Sequence, residues 1–146
     1  ANTRARLRMT TLYSLAATYE GLVVGTGNKI EDFGVGFFTK YGDGGVDISP
    51  IADLYKSEVY TLGAELGVSD EIIEAAPTDG LWADGRTDEE QLGATYEELE
   101  WAMNWFEIGD ENTPISEKEN QILNIYLRHH LRNKHKMIPI PIYQNL

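Results

Sequence analysis

The sequence predicts an α/β fold that is mostly helical. Three observations carry this. An apolar run rich in β-branched residues, "LVVGT" at 22–26, reads as one buried strand, parallel by its unbroken hydrophobicity. Several other stretches repeat apolar residues every three or four positions or open on a helix cap. Two long polar loops containing glycine separate them. One strand cannot satisfy its own backbone groups, so further strands are expected from another segment or another chain.

Residues 3–18 read as a helix, with Met9, Leu12, Tyr13 and Ala16 on one face and Arg4 and Arg8 on another. After the strand, "NKIEDFG" has room for one or two helical turns. The stretch 38–49, "FTKYGDGGVDIS", reads as loop. Ser49 and Pro50 predict a helix start, as N-cap and first helical residue. Tyr55, Val59, Leu62 and Leu66 then form an apolar stripe that ends at Gly67. "SDEIIEAA" predicts a short helix capped by Ser69. "PTDGLWADGRTDEE" is the second loop. Thr95 with Glu98 predicts a capping box for a helix bearing Leu99, Ala102, Met103 and Phe106. Ser116 with Glu119 predicts another, for a helix bearing Ile122, Ile125 and Tyr126. "IPIPIY" reads as an extended tail.

The chain has 146 residues, room for one domain with one core. Its formal net charge of -12 argues against nucleic acid as a partner, because polyanions need a basic face. No apolar run approaches the roughly 20 residues of a membrane span. There is no cysteine, which excludes disulfides and thiolate chemistry and suits the cytoplasm. His129, His130 and His135 lack a metal-ligand spacing. The opening "ANTRARLRMT" has no initiator Met and no signal-peptide core, so the chain is expected to begin inside a larger protein.

The chemistry concentrates where the strand ends. In open α/β sheets ligands bind beyond the carboxyl ends of strands. Gly25 and Gly27 let a ligand approach the backbone there, and the Thr26 hydroxyl can donate or accept. Glu31 could reach a hard cation such as Mg2+. Taken alone the motif is weak, and the same residues better suit a turn and an ordinary helix start, with Asn28 as cap and Glu31 in the first turn. Lys40, Asp43 and Asp47 share the first loop with glycines. Lys56 lies early in the next helix, Thr78 follows a proline in the second loop, and His135 and Lys136 close the last helix. Each of these alone is more often a surface residue than part of a site.

Together the stretches "RARLRM", "VVGTGNKIEDFGVGFFTKYGDGGVD", "SPIADLYKSEVY", "PTDGLWADGRTDEEQLG" and "NKHKM" resemble the NAD synthetase family in its ammonia-dependent type. They cover most of the chain in the family's order. The resemblance implies a Rossmann-like fold of the adenine nucleotide alpha hydrolase kind (N-type ATP pyrophosphatase), with residues 1–146 as the C-terminal part of a single domain. It implies ATP contacts at Thr26, Lys56 and Thr78, and a Mg2+ ligand at Glu31. It implies deamido-NAD contacts at Arg6, Lys40, Asp47, His135 and Lys136. The implied reaction is ATP-dependent amidation of deamido-NAD to NAD through an adenylated acid, with ammonia as nitrogen donor. No side chain stands out as a general base. The implied assembly is a homodimer with deamido-NAD at the subunit boundary, which makes the first helix, with Arg6, an interface candidate.

The family's SGGxDS phosphate loop is absent from these residues. The chain alone is therefore expected to be inactive. Two alternatives stay open: another adenylating ATPase of the amidotransferase type, such as a GMP-synthetase relative, or a non-catalytic nucleotide-binding or assembly module.

Overall fold

A computed structural model of the chain describes residues 1–110 and 112–144. The first helix, α1, runs Asn2–Thr18, as its periodicity predicts. Ala5 is its one buried residue, and Met9, Tyr13 and Ala16 are half-buried beside it.

The expected strand is reduced to one rung. Val24 forms a parallel bridge with Ile48, and the amides of Gly25 and Asp47 donate to the carbonyls of Ile48 (2.7 Å) and Val23 (2.9 Å). Val23 is buried, but Leu22 is 66% exposed and Val24 54%. The pairing is parallel as expected, whereas the buried strand is corrected to a bridged residue. The partner comes from 46–48, inside the expected loop, and it supplies too few residues for a ladder. Among the described residues this bridge is the whole of the β structure.

Residues Ile30–Gly34 form a π-helical turn, closed by the Val35 amide donating to the Ile30 carbonyl at 2.8 Å. Asn28 and Glu31 box its start. The Glu31 amide donates to Asn28 Oδ1 (3.1 Å) and the Asn28 amide to Glu31 Oε2 (3.2 Å). The chain leaves through Gly36 at φ +62, a left-handed conformation that glycine takes without strain.

The helix start expected at Ser49 and Pro50 lies later. Residues 50–54 are tight turns, and α2 spans Lys56–Glu65. The Lys29 amide occupies the Leu54 carbonyl at 2.8 Å, and Tyr55 is extended at ψ 159, so helical bonding begins only beyond it. The stripe reaches the core only at Tyr55, just before α2: no α2 residue is buried, Leu62 is 42% exposed and Leu66 73%. Polar contacts attach α2 instead. The Ser57 amide and hydroxyl donate to the Glu100 carboxylate at 3.0 and 2.7 Å. Gly67 stops the helix as expected, at φ +75.

The short α3, Asp70–Ile73, follows Ser69, whose side chain makes no capping bond. A helix not foreseen, α4 at Asp88–Leu92, closes the second loop with Thr87 accepting from the Glu90 amide. The two predicted capping boxes hold, opening α5 (Tyr96–Ile108) and α6 (Glu117–Met137). The core lies between the π-helical turn, α4, α5 and α6, and holds Ile30, Val35, Leu92, Leu99, Met103 and Tyr126. Phe106 lies at its edge, 49% exposed. In the expected tail, 138–143, Ile138 is extended at φ -111 and ψ 158, no helix or strand follows it among the described residues, and the Ile and Tyr side chains are exposed.

Candidate functional site

The core places its polar end at the carboxyl side of the Val24 bridge, beside a cavity of about 730 Å³. Thr26, Glu31, Lys56, Thr78 and Lys136 all line it. Five of the nine residues for which the resemblance implies contacts thus converge on one space, from the bridge end, the π-helical turn, α2, the second loop and α6.

Glu31 is the most constrained of them. Its Oε1 accepts from the Tyr96 hydroxyl at 2.5 Å and lies 3.4 Å from Lys56 Nζ. Lys56 Nζ also sits 4.9 Å from the centre of the Tyr96 ring. The capping role allowed by the sequence is real, since Oε2 serves the Asn28 amide. It leaves Oε1 turned to its partners from α2 and α5.

Arg6, Lys40, Asp47 and His135 stand outside the cavity lining. The Arg6 guanidinium donates to the Lys40 carbonyl from Nε and Nη2, each at 3.3 Å. Lys40 Nζ donates to the His135 carbonyl at 2.7 Å. Arg6, Lys40 and His135 therefore form one chain of contacts joining α1, the first loop and α6. Lys136, the next residue, turns inward and donates to the Gly36 and Phe38 carbonyls, the latter at 2.7 Å. Its burial lowers its pKa from the ordinary lysine value. Asp47 acts within the chain: Oδ2 accepts from the Val23 amide (2.8 Å) and Oδ1 from the Tyr13 hydroxyl (3.1 Å). Thr78 likewise serves its own loop, donating to the Arg86 carbonyl at 3.3 Å and accepting from the Gly80 amide at 3.2 Å.

Sequence reasoning missed several residues of this site. Tyr96 is 6% exposed, and burial, then Glu31, raises its pKa. Asp88, at the start of α4, lines the cavity and is 7% exposed. Its Oδ1 has no hydrogen-bond partner, while its Oδ2 lies 3.5 Å from the Tyr96 hydroxyl. Burial raises the pKa of Asp88, with Glu31 and Asp79 adding to it. Asp32 also lines the cavity, and burial, then Glu31 and Asp43, pushes it to about 6. Arg4 reaches the second loop, Nη1 donating to the Leu81 carbonyl at 2.9 Å. The capping boxes beginning at Thr87 and Thr95 place Asp88 and Tyr96 at helix starts. Only tertiary packing turns both toward Glu31.

The donor set suits a magnesium ion that takes most of its ligands from elsewhere. Among the described residues no group of three or more His, Asp or Glu side chains could hold a metal. Mg2+ commonly takes one or two carboxylates and completes its shell with phosphates and water. Glu31 and the unpartnered buried oxygen of Asp88 fit that pattern. The cavity can thus hold a polyanion against Lys56 and Lys136 with a carboxylate-bound cation beside it. No described helix is long and apolar enough to cross a membrane.

The NAD synthase family model matches residues 1–138. The NH(3)-dependent NAD(+) synthetase of Alkaliphilus metalliredigens is 46% identical over 141 residues, covering 97% of this chain and 53% of that protein. The synthetase of the same description from Archaeoglobus fulgidus is 44% identical over 146 residues, covering 100% and 57%. Two solved structures superpose well. The NMN synthetase of Francisella tularensis matches with a TM-score of 0.79 at 38% identity, over 99% of this chain and 56% of its own. The NH3-dependent NAD synthetase of Campylobacter jejuni, in complex with nitrate, matches at 0.73 and 27%, over 98% and 54%. The chain spans about half the length of the curated relatives it matches.

Proposed function

The chain belongs to the NAD synthase family, and on that premise we propose that it is part of an enzyme that amidates deamido-NAD to NAD with ATP and ammonia. The observation that carries the reading is the Glu31 carboxylate, fixed beside Lys56 at a cavity that Thr26 and Thr78 also line. ATP lies there in this reading, in contact with Thr26, Lys56 and Thr78. Glu31 would hold Mg2+, which when bound neutralises phosphate charge. Arg6, Lys40, Asp47, His135 and Lys136 take deamido-NAD. Three of these already form the contact chain between α1, the first loop and α6, and Lys136 adjoins it.

The nicotinate carboxylate attacks the α-phosphate of ATP, and pyrophosphate leaves. Ammonia then adds to the adenylated acid and AMP departs, giving the amide. Both substrates are anions, so Lys56 and Lys136 offset their repulsion in an otherwise acidic chain. The second loop, tied to α1 by Arg4, is the element that would exclude water, ammonia's competitor for the adenylate.

The fold we assign is the Rossmann-like N-type ATP pyrophosphatase. The parallel bridge with Thr26 just beyond its carboxyl end supports it. We assign a homodimer with α1 at the interface, supported by Leu7, Leu12 and Leu15, which are 63, 52 and 49% exposed. A cytoplasmic location goes with the reading. Residues 1–146 alone are proposed to lack turnover, because nothing in them supplies the phosphate loop.

The named NMN synthetase supports a second reading, in which the acid amidated is the mononucleotide. The complete enzyme should be assayed with ATP, Mg2+ and ammonium against deamido-NAD, nicotinate mononucleotide and xanthosine monophosphate. The highest kcat/KM is expected for deamido-NAD. Preference for the mononucleotide selects the second reading, and preference for xanthosine monophosphate refutes both. Turnover of none favours the non-catalytic module.

A further inference from the structure

Glu31 is held from three sides. An ionised carboxylate offers about four lone-pair positions. The Tyr96 hydroxyl, Lys56 Nζ and the Asn28 amide engage three of them, at 2.5, 3.4 and 3.2 Å. One remains, on Oε2, and Glu31 lines the cavity. The three partners differ in rigidity. Asn28 belongs to the same turn as Glu31, and Lys56 is a flexible chain. Tyr96 is 6% exposed and begins α5, and its amide is tied to Glu89 Oε1 at 2.8 Å. A buried ring in this place needs no hydroxyl for packing, since phenylalanine would fill the same space. A buried phenol does need a hydrogen-bond partner, and Tyr96 finds its partner in a carboxylate 65 residues away.

We propose that Tyr96 is a positioning residue: its hydroxyl fixes the rotamer of Glu31 so that the free lone pair faces the cavity and binds a divalent cation there. This rests on the reading of Glu31 as the metal-holding side chain. Partners that orient a ligating carboxylate typically change metal affinity by about 10- to 100-fold when removed. Tyr96 also lies within 3.5 Å of Asp88 Oδ2, so the same hydroxyl touches the acid that closes the second loop.

The test uses the complete enzyme with ATP and Mn2+ as a spectroscopic probe, its binding followed by electron paramagnetic resonance. Tyr96→Phe is expected to weaken Mn2+ binding about tenfold, with a melting temperature close to the parent's. Glu31→Gln is expected to weaken binding at least as much. The double variant should be no weaker than Glu31→Gln alone, because the hydroxyl acts through Glu31. In turnover, the deficit of Tyr96→Phe should close as Mg2+ is raised. Unchanged affinity in Glu31→Gln overturns the metal reading and the role of Tyr96 with it. Weakened binding in Glu31→Gln but not in Tyr96→Phe overturns the role of Tyr96 alone, as does an additive double variant. Should Tyr96→Phe fail to fold, unmutated enzyme labelled at tyrosine 13Cζ decides: bound Mn2+ must broaden a tyrosine signal, and none broadened overturns the proposal.

Discussion

Replacing Gly36 by alanine forces a methyl group into the flank of α6. The added Cβ would lie 2.6 Å from the Asn133 Cβ, 3.5 Å from its Cγ and 3.6 Å from its carbonyl oxygen. Ordinary carbon contacts lie at about 3.5–4.0 Å, and a Cβ on a helix cannot swing aside. The left-handed φ of +62 adds strain of its own, roughly 1–2 kcal/mol for a side-chain-bearing residue. Overpacking costs about 1–3 kcal/mol more. Relief by backbone movement would stretch the bond from Asn133 Nδ2 to the Val35 carbonyl, 2.8 Å, and that from Lys136 to the Gly36 carbonyl. The sum is about 2–5 kcal/mol. In an enzyme of the relatives' length that lowers the melting temperature by about 5 °C or more. Calorimetry on the complete enzyme measures it. Repeating the change in an Asn133→Gly background isolates the clash, and the cost should shrink by at least about 1 kcal/mol. A melting temperature within about 2 °C of the parent, or an equal cost in both backgrounds, would refute the packing described at this turn.

Asp47→Ala strips the acceptor from the Val23 amide and should cost about 1–3 kcal/mol, while Asp47→Asn, which keeps an acceptor, should cost less. Equal melting temperatures for parent and both variants count against that role. Trypsin cleavage after Arg86 in the complete enzyme is expected to slow when ATP and deamido-NAD order the second loop, and equal rates with and without them count against a covering role. Burial holds His129 below its usual 6.5, against the smaller upward pull of the Leu92 carbonyl. The unfolded chain then binds that proton more readily, so stability should fall as pH drops below 6.5. His129→Gln should lose less stability than the parent between about pH 7 and 5, and an identical loss would contradict this.

The capping boxes of α5 and α6 were legible because all their parts lie within four residues, as was the stop at Gly67. The start of α2 was not. Ser49 and Pro50 carry the right local chemistry, but the Lys29 amide, from another part of the chain, occupies the carbonyl that a helix would use. The strand was over-read for a related reason: "LVVGT" has strand composition, yet only 46–48 pairs with it among the described residues. The apolar stripe of α2 has the correct period, but periodicity does not reveal which face meets the core, and here polar bonds to Glu100 fix the helix. The strand-end motif singled out Thr26 and Glu31, the family resemblance added Lys56, and all three line the cavity. Tyr96 and Asp88 escaped notice because what distinguishes them is their distance from Glu31, which depends on how α4 and α5 pack.

The central claim is that a carboxylate is activated on the α-phosphate of ATP before ammonia arrives. Deamido-NAD carrying 18O in both oxygens of its nicotinate carboxylate tests this directly in the complete enzyme with ATP, Mg2+ and ammonium. Attack by a carboxylate oxygen must transfer that oxygen with the departing nucleotide. Mass spectrometry should find one 18O in AMP for every NAD formed, and none in pyrophosphate. NAD formed alongside unlabelled AMP, or with the label in pyrophosphate, would contradict the proposed reaction.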